Sequence, residues 1–431
     1  GTGSINLATP QATGQYILVD PDINIVTSTY TAYSSRASGT PPAGWVLYAS
    51  ANGSPVTWTG TGLNANWDNP DNWDALAVPG SIDEVVIQDI GPSTNYPVAN
   101  VAMNAAEITV DANAEFTGNG QSINVAGDFS NSGTVRLDGT EAITISGTTT
   151  NVAGSTVEYY GPGSAVWPND AYQNLTITAA GVVSLGTDAV TVAGTLLNEG
   201  EINVNGTGSI NTSDAANGTF RYSGTDQPVP TLDGYNNLII DCTGDATAGG
   251  DITVGGNLTL TTGTFVMGTN GLTVKGNIVK TDGIITSDGT ITLDGSAPQS
   301  ADLADGTNDS QITNLVVNNA LGVTLTNTAS FTWSGDCDIA AGTLTLANVA
   351  GQAIGGAVTV AGTGGLALSG GSLTAGAITV SNSSGTGIML SATAATAISA
   401  ASASFSGGFG SINLNNIAFT LTGTGANVWT D

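Results

Sequence analysis

Ile252-Thr253-Val254-Gly255-Gly256-Asn257-Leu258 is followed by Leu272-Thr273-Val274-Lys275-Gly276-Asn277-Ile278, the same phrase set 20 residues further along. In each copy apolar residues alternate with Thr, Asn or Lys, the period-two signature of a strand with one buried face. The phrase recurs at Ile123-Asn124-Val125-Ala126-Gly127-Asp128-Phe129, at Val190-Thr191-Val192-Ala193-Gly194-Thr195-Leu196 and at Val358-Thr359-Val360-Ala361-Gly362. Ile378-Thr379-Val380 continues it, with Val380 again 20 residues after Val360. So short a repeat makes one turn of a coil built from brief strands and tight bends. The expected fold is all-β: a parallel β-solenoid (β-helix) of roughly 20-residue coils stacked quasi-one-dimensionally.

Composition fits a thin coil. The 431 residues include 60 Gly. Dipeptides such as Asp138-Gly139, Asn205-Gly206, Asp288-Gly289 and Asp294-Gly295 close strands where a bend is expected to need positive φ. A longer period overlies the short one. Thr156-Val157-Glu158-Tyr159 leads to Tyr172-Gln173-Asn174-Leu175, Thr219-Phe220-Arg221-Tyr222 to Tyr235-Asn236-Asn237-Leu238, and Thr290-Ile291-Thr292-Leu293 to Thr313-Asn314-Leu315. The Asn-Leu anchors at 174, 237 and 314 lie 63 and 77 residues apart, which suggests about three coils plus an insertion. Trp167-Pro168, Gln227-Pro228-Val229-Pro230 and the acidic Asp302 to Asp309 stretch fall in these insertions and read as surface loops.

Four regions follow. Residues 1–55 lack the phrase and form an N-terminal β segment, either a cap or a strand donated to a neighbouring subunit. Residues 56–100 are a Trp-rich opening of the solenoid, 101–380 the repeats, and 381–431 the C-terminal coils or cap, where β is expected over helix. Gly-Ser-Ile-Asn-Leu occurs at both 3–7 and 410–414, which suggests equivalent strands at the two ends. The chain begins at Gly1 without Met, and any export signal is expected to have been removed.

Charge narrows the functions. Five Lys+Arg face 34 Asp+Glu, for a net charge of −29, although only 9% of residues are charged. Arg36, Arg136, Arg221, Lys275 and Lys280 are too sparse to neutralise a phosphate track, which argues against nucleic acid. An anionic membrane would repel the chain, and no run reaches the roughly 18 apolar residues of a helical span, so direct membrane insertion is not expected. With no His there is no Ser-His-Asp relay and no imidazole metal ligand. An enzyme would have to run on carboxylates, as a glycosidase does, with two aligned on neighbouring coils; Asp336 and Asp338 are candidates. No enzymatic activity is expected.

The remaining candidates are few. Asp68, Asp71 and Asp74 beside Trp67 and Trp73 could supply oxygens to a calcium ion, whose site needs six to eight. No other cofactor is expected. Cys242 and Cys337 lie 95 residues apart, four or five coils, or roughly 20 Å along the axis. A disulfide needs Cα atoms within about 7 Å, so the pair cannot bridge within a continuous solenoid. Two readings stay open: buried small residues, or an intermolecular disulfide between subunits. Trp167 and Trp333 are candidate glycan-contact aromatics.

Val56-Thr57-Trp58-Thr59-Gly60, Asn66-Trp67-Asp68-Asn69-Pro70-Asp71-Asn72-Trp73, Val78-Pro79-Gly80-Ser81-Ile82-Asp83-Glu84-Val85-Val86-Ile87 and Tyr96-Pro97-Val98 carry a resemblance. Together they resemble the opening segment of bacterial secreted cell-surface proteins with β-solenoid (adhesin- or autotransporter-like) repeats. The resemblance implies an extracellular or cell-surface location and structural or adhesive work, and transfers no catalytic residue. The expected function is an extracellular structural or surface protein, a self-assembling subunit of a filament, sheath or layer. Its partners would be copies of itself as a homo-oligomer or polymer. The alternative is a monomeric adhesin that binds surface glycans, and a β-helix carbohydrate-active enzyme ranks below both.

Overall fold

The structure is a computed structural model describing residues 18–19, 30–33, 36–37, 45–48, 55–92, 95–163, 167, 171–347, 351–382, 388–407, 411–412, 417–422 and 428–429. The chain is an all-β parallel β-solenoid of about 15 coils of ~21 residues. Among the described residues the one helical element is a 3₁₀ turn at Pro70–Asn72. Two compact units divide the chain, residues 1–201 with 209–211, and 202–208 with 212–431. The division falls inside the 101–380 repeat stretch.

In the second unit the 20-residue phrase is one step of the coil. Val254 pairs with Val274, and Val360 with Val380, in parallel register. Following the pairings gives one inward column: Ile252, Leu272, Ile291, Leu315, Cys337, Val358, Ile378 and Ala403. All eight are at most 2% exposed. A second column two residues on runs Val254, Val274, Leu293, Val317, Ile339, Val360, Val380 and Phe405. Between them Thr253, Thr273 and Thr292 point outward, which is why apolar residues alternate with Thr. Each fully buried aliphatic side chain contributes about 1.5–3 kcal/mol. Small coils therefore accumulate stability by repetition rather than from one large core.

The first unit stacks the same way. Met103, Ile123 and Ile143 form one column, and Ile108 pairs with Phe129 in the next strand of the coil. The core also carries a chain of aromatic rings: Trp58, Trp73, Trp67, Phe116, Phe129 and Trp167, with successive centroids 4.9, 4.8, 6.1, 6.4 and 4.9 Å apart. Most contacts are edge-to-face, the arrangement favoured by ring quadrupoles. Further towards the N-terminus, Leu18–Val19 pairs with Arg36–Ala37 and Tyr30–Tyr33 with Trp45–Tyr48, both parallel. The 3–7 pentapeptide and most of the 1–55 segment, on which the cap-or-donated-strand expectation rests, lie outside the described residues. In the C-terminal region Ile388–Ala392 and Thr396–Gly407 are strands, as β-branched Thr396 and Ile398 indicate.

Bends are held by a side-chain ladder. The amide of Asn257 donates to Asn237 Oδ1 at 3.0 Å, that of Asn277 to Asn257 Oδ1 at 2.8 Å, and that of Ser300 to Asn277 Oδ1 at 2.8 Å. Asp128 accepts from Thr148 at 2.7 Å and Asp336 from Ala357 at 2.8 Å in the same manner. Asn174 and Asn314 accept from Thr195 and Asp336, each at 3.0 Å. The Asn-Leu anchors therefore occupy the ordinary bend of a single coil. Thr156–Tyr159 stacks directly on Asn174–Ile177, and Thr219–Tyr222 on residues 237–240. The longer period is thus a coil step of altered length, not a superposed three-coil unit.

Glycine is required for a different reason than expected. Gly139 does have positive φ, at 86°. Gly289 and Gly295 do not; a Cβ there would lie 2.3 Å from Asn270 O and 2.5 Å from Lys275 O. The neighbouring coil's backbone, rather than the local turn, excludes the side chain.

Candidate functional site

The acidic cluster beside Trp67 closes a strand edge. Val56–Trp58 pairs with Glu84–Ile87 on one side. On its other side Asp74 N donates to Thr57 O at 3.0 Å, Thr57 N to Asp74 Oδ1 at 2.9 Å, and Thr59 N to Asn72 O at 2.7 Å. Trp58 and Trp73 form an antiparallel bridge. Asp68 Oδ1 instead accepts from Asn100 Nδ2 at 2.8 Å, and the Asp71 amide donates to Asn69 Oδ1 at 3.1 Å. Asp68, Asp71 and Asp74 do not converge, and among the described residues no three His, Cys, Asp or Glu side chains are grouped to hold a metal. The calcium expectation is corrected: Asp68 and Asp74 bond neighbouring segments, and the 72–74 strip covers the Val56–Trp58 edge.

The candidate glycan-contact aromatics are also corrected. Trp167 is fully buried and Trp333 is 1% exposed, so neither offers a ring face to a ligand. Trp167 packs edge-on against Phe129 and donates its backbone N–H to Tyr159 Oη at 2.7 Å. Trp333 packs on Phe331 at 5.5 Å. The alternation in Phe331-Thr332-Trp333 places both rings inward with Thr332 exposed, a signal available in the sequence.

Both cysteines are buried free thiols. Cys337 sits four coil steps along the column that starts at Ile252, and Cys242 lies ten residues before Ile252. Four steps span about 19 Å, beyond disulfide reach. Cys242 Sγ donates to Tyr222 O at 3.3 Å. Burial pushes its thiol up to about 11 and that of Cys337 up to about 12. Sealed and protonated, neither can link subunits, so the intermolecular disulfide is corrected to buried packing.

Lys280 meets the acidic Asp302 to Asp309 stretch inside the stack of coils. In Ile278-Val279-Lys280 the first residue is buried and Val279 is 44% exposed, so alternation turns Lys280 inward. It stacks on Leu260 in the coil register, and its side chain is 1% exposed. The Lys280 Nζ lies 2.5 Å from Asp305 Oδ2. Asp305 Oδ1 accepts from Thr307 N at 2.7 Å and Asn308 N at 2.9 Å, while Asp309 Oδ1 accepts from Asp305 N and Gly306 N. The Lys280 ammonium, aided by those two amides, holds the Asp305 carboxyl well below the usual carboxylate range. Asp302 behaves oppositely. Its Oδ1 is buried without a hydrogen-bond partner, and burial pushes its carboxyl up. The stretch expected to be a surface loop keeps residues 306–308 exposed, while Asp305 reaches the buried amine.

A shallow cleft of about 290 Å³ lies beside Ser287, Asp288, Gln311, Thr313 and Ser334. The Thr313 and Ser334 hydroxyls bond each other at 3.3 Å, and one carboxylate stands among neutral groups. Such a lining offers hydrogen bonds but no paired acid and base. No known protein family, curated protein or solved structure matches the chain.

Proposed function

We propose that the chain is an extracellular structural protein, a subunit that self-assembles through its strand edges into a filament, sheath or layer. The observation that carries this reading is the eight-residue column from Ile252 to Ala403, in which coil after coil presents the same inward position in the same register. Each coil is thereby a template for the next, and a coil edge exposes N–H and C=O groups that another parallel strand can satisfy. The Val56–Trp58 edge is already occupied by the 72–74 strip, which directs assembly to other strands. A surface of net charge −29 keeps copies apart until a matched edge is met.

The test is electron microscopy of the purified full chain over a concentration series, with sedimentation velocity on the same samples. Regular filaments or sheets growing with concentration are expected. A single monomeric species throughout, with no ordered assemblies, would overturn the reading. Surface exposure is checked separately by protease treatment of intact producing cells, which should remove the protein while cytosolic markers survive.

A further inference from the structure

We propose that two copies of this chain pack side by side through the sheet face of strands Gly371–Asn382, Thr396–Gly407 and Ile417–Leu421, a docking surface whose occupant is a second copy. This inference rests on the self-assembly reading and adds a lateral contact to the strand edges.

Charge placement carries it. From Ile339 to Thr430 the sequence holds no Asp, Glu, Lys, Arg or His, so every acidic residue but Asp431 precedes that stretch. A chain with 34 Asp+Glu against five Lys+Arg repels its own copies wherever those carboxylates stand on the surface. In coil register Asp338 pairs with Thr359, Thr359 with Thr379, and Thr379 with Ser404. Three coil steps of about 4.8 Å each put strand Thr396–Gly407 about 14 Å along the stack from Asp338. Physiological salt screens exposed charges beyond about 8 Å. Copies therefore meet there without the repulsion that the earlier coils impose.

The face is built to lie flat against its like. Ser372 pairs with Ala397 and Ala397 with Ala418, while Thr374 pairs with Ser399 and Ser399 with Thr420. Leu373 and Ile398, between these two columns, are buried. Ser372, Thr374, Ala397, Ala418 and Thr420 are exposed, and Ser399 is half-buried. Columns of side chains no longer than Thr leave a level surface, so an opposed sheet can approach to the roughly 10 Å of stacked sheets. Short side chains also lose little rotamer freedom on contact. Methyl groups supply apolar area, and the hydroxyls both donate and accept, so the surface complements itself across a two-fold contact. A charged partner finds no counter-charge here; a second copy brings an equally uncharged face.

The experiment puts carboxylates into the face. Thr374→Asp with Ala397→Asp is compared with Thr253→Asp with Thr273→Asp, which places the same groups at outward strand positions of earlier coils. Sedimentation velocity and electron microscopy of the full chain over one concentration series read association, and circular dichroism checks the β fold. Like charges across a contact are costly, so the face variant should need about tenfold more protein, or more still, to associate. The earlier-coil variant should associate as wild type does. Thr420→Asp, a single exposed change, serves the same comparison should the double variant lose its β spectrum. A folded face variant that associates at the wild-type concentration would overturn the lateral contact and leave self-assembly standing, and so would an equal loss in the earlier-coil variant. Wild-type protein that stays monomeric throughout would overturn the self-assembly reading itself, and this contact with it.

Discussion

At the scale of the residue, the most constrained positions are glycines pressed against the coil before them. A Cβ on Gly276 would lie 2.4 Å from both C and O of Gly256, and backbone cannot move aside as a flexible side chain can. Gly271 differs: its nearest contact would be 3.5 Å, in a conformation open to any residue. Gly276→Ala should therefore destabilise by about 1–3 kcal/mol, as overpacking does. Gly271→Ala should be neutral or stabilise by about 0.4–1 kcal/mol through the unfolded chain. Urea unfolding of the two variants gives the comparison, and equal effects would refute the close-approach argument. The thiols make a second test at this scale. Cys242 and Cys337, buried and protonated, should not react with a thiol reagent in the native protein, and both should react in denaturant. A native protein that titrates one thiol per chain would show that a cysteine reaches the surface.

At the scale of the element, the tyrosines explain the insertions better than the anchors do. In the first unit Tyr159 and Tyr172 pair through their hydroxyls at 3.1 Å, and in the second Tyr222 and Tyr235 do so at 3.0 Å. Each pair is separated by 13 residues, and each closes the coil step that carries a bulky insertion. Tyr235 Oη also donates to Pro230 O at 2.7 Å, pinning its loop. Burial raises both Tyr222 and Tyr235 above the ordinary value of 10. The folded state therefore keeps its protons at a pH where the unfolded chain loses them. Stability from this pair is fully present below about pH 10 and is lost as pH climbs towards the folded values. Tyr222→Phe with Tyr235→Phe should flatten the alkaline decline of thermal stability above pH 10, at some cost in stability at neutral pH. An unchanged alkaline slope would mean that other groups set it.

This scale also shows what was legible in the sequence. The register was: Val254 and Val274 pair as their 20-residue spacing requires, because a single repeated phrase must stack on itself. Facing is legible as well at Phe331-Thr332-Trp333 and Ile278-Val279-Lys280, where period two turns Trp333 and Lys280 inward. The remainder depends on contacts across coils. Nothing local marks the 72–74 strip as the cover of Val56–Trp58, or Asp305 as the partner of a lysine 25 residues away. Gly289 is indistinguishable from a turn glycine until Asn270 O is placed above it.

At the scale of the whole molecule, stacked coils make stability a sum of nearest-neighbour terms rather than a property of one core. The Ile252 to Ala403 column belongs to the second unit, while the aromatic chain from Trp58 to Trp167 belongs to the first. A backbone collision at Gly276 should therefore act locally, on the coils that contain strands Ile252–Val254, Leu272–Val274 and Ile284–Leu293. Hydrogen exchange read by mass spectrometry resolves this, because opening free energies differ between cooperative segments of one structure. In Gly276→Ala, peptides within 252–293 should lose protection, while peptides within 103–159 keep wild-type exchange. Equal loss in both would mean that the two units unfold as one cooperative body. Confinement to the second unit would show that each coil answers chiefly to its neighbours, the property that edge-to-edge assembly of such coils requires.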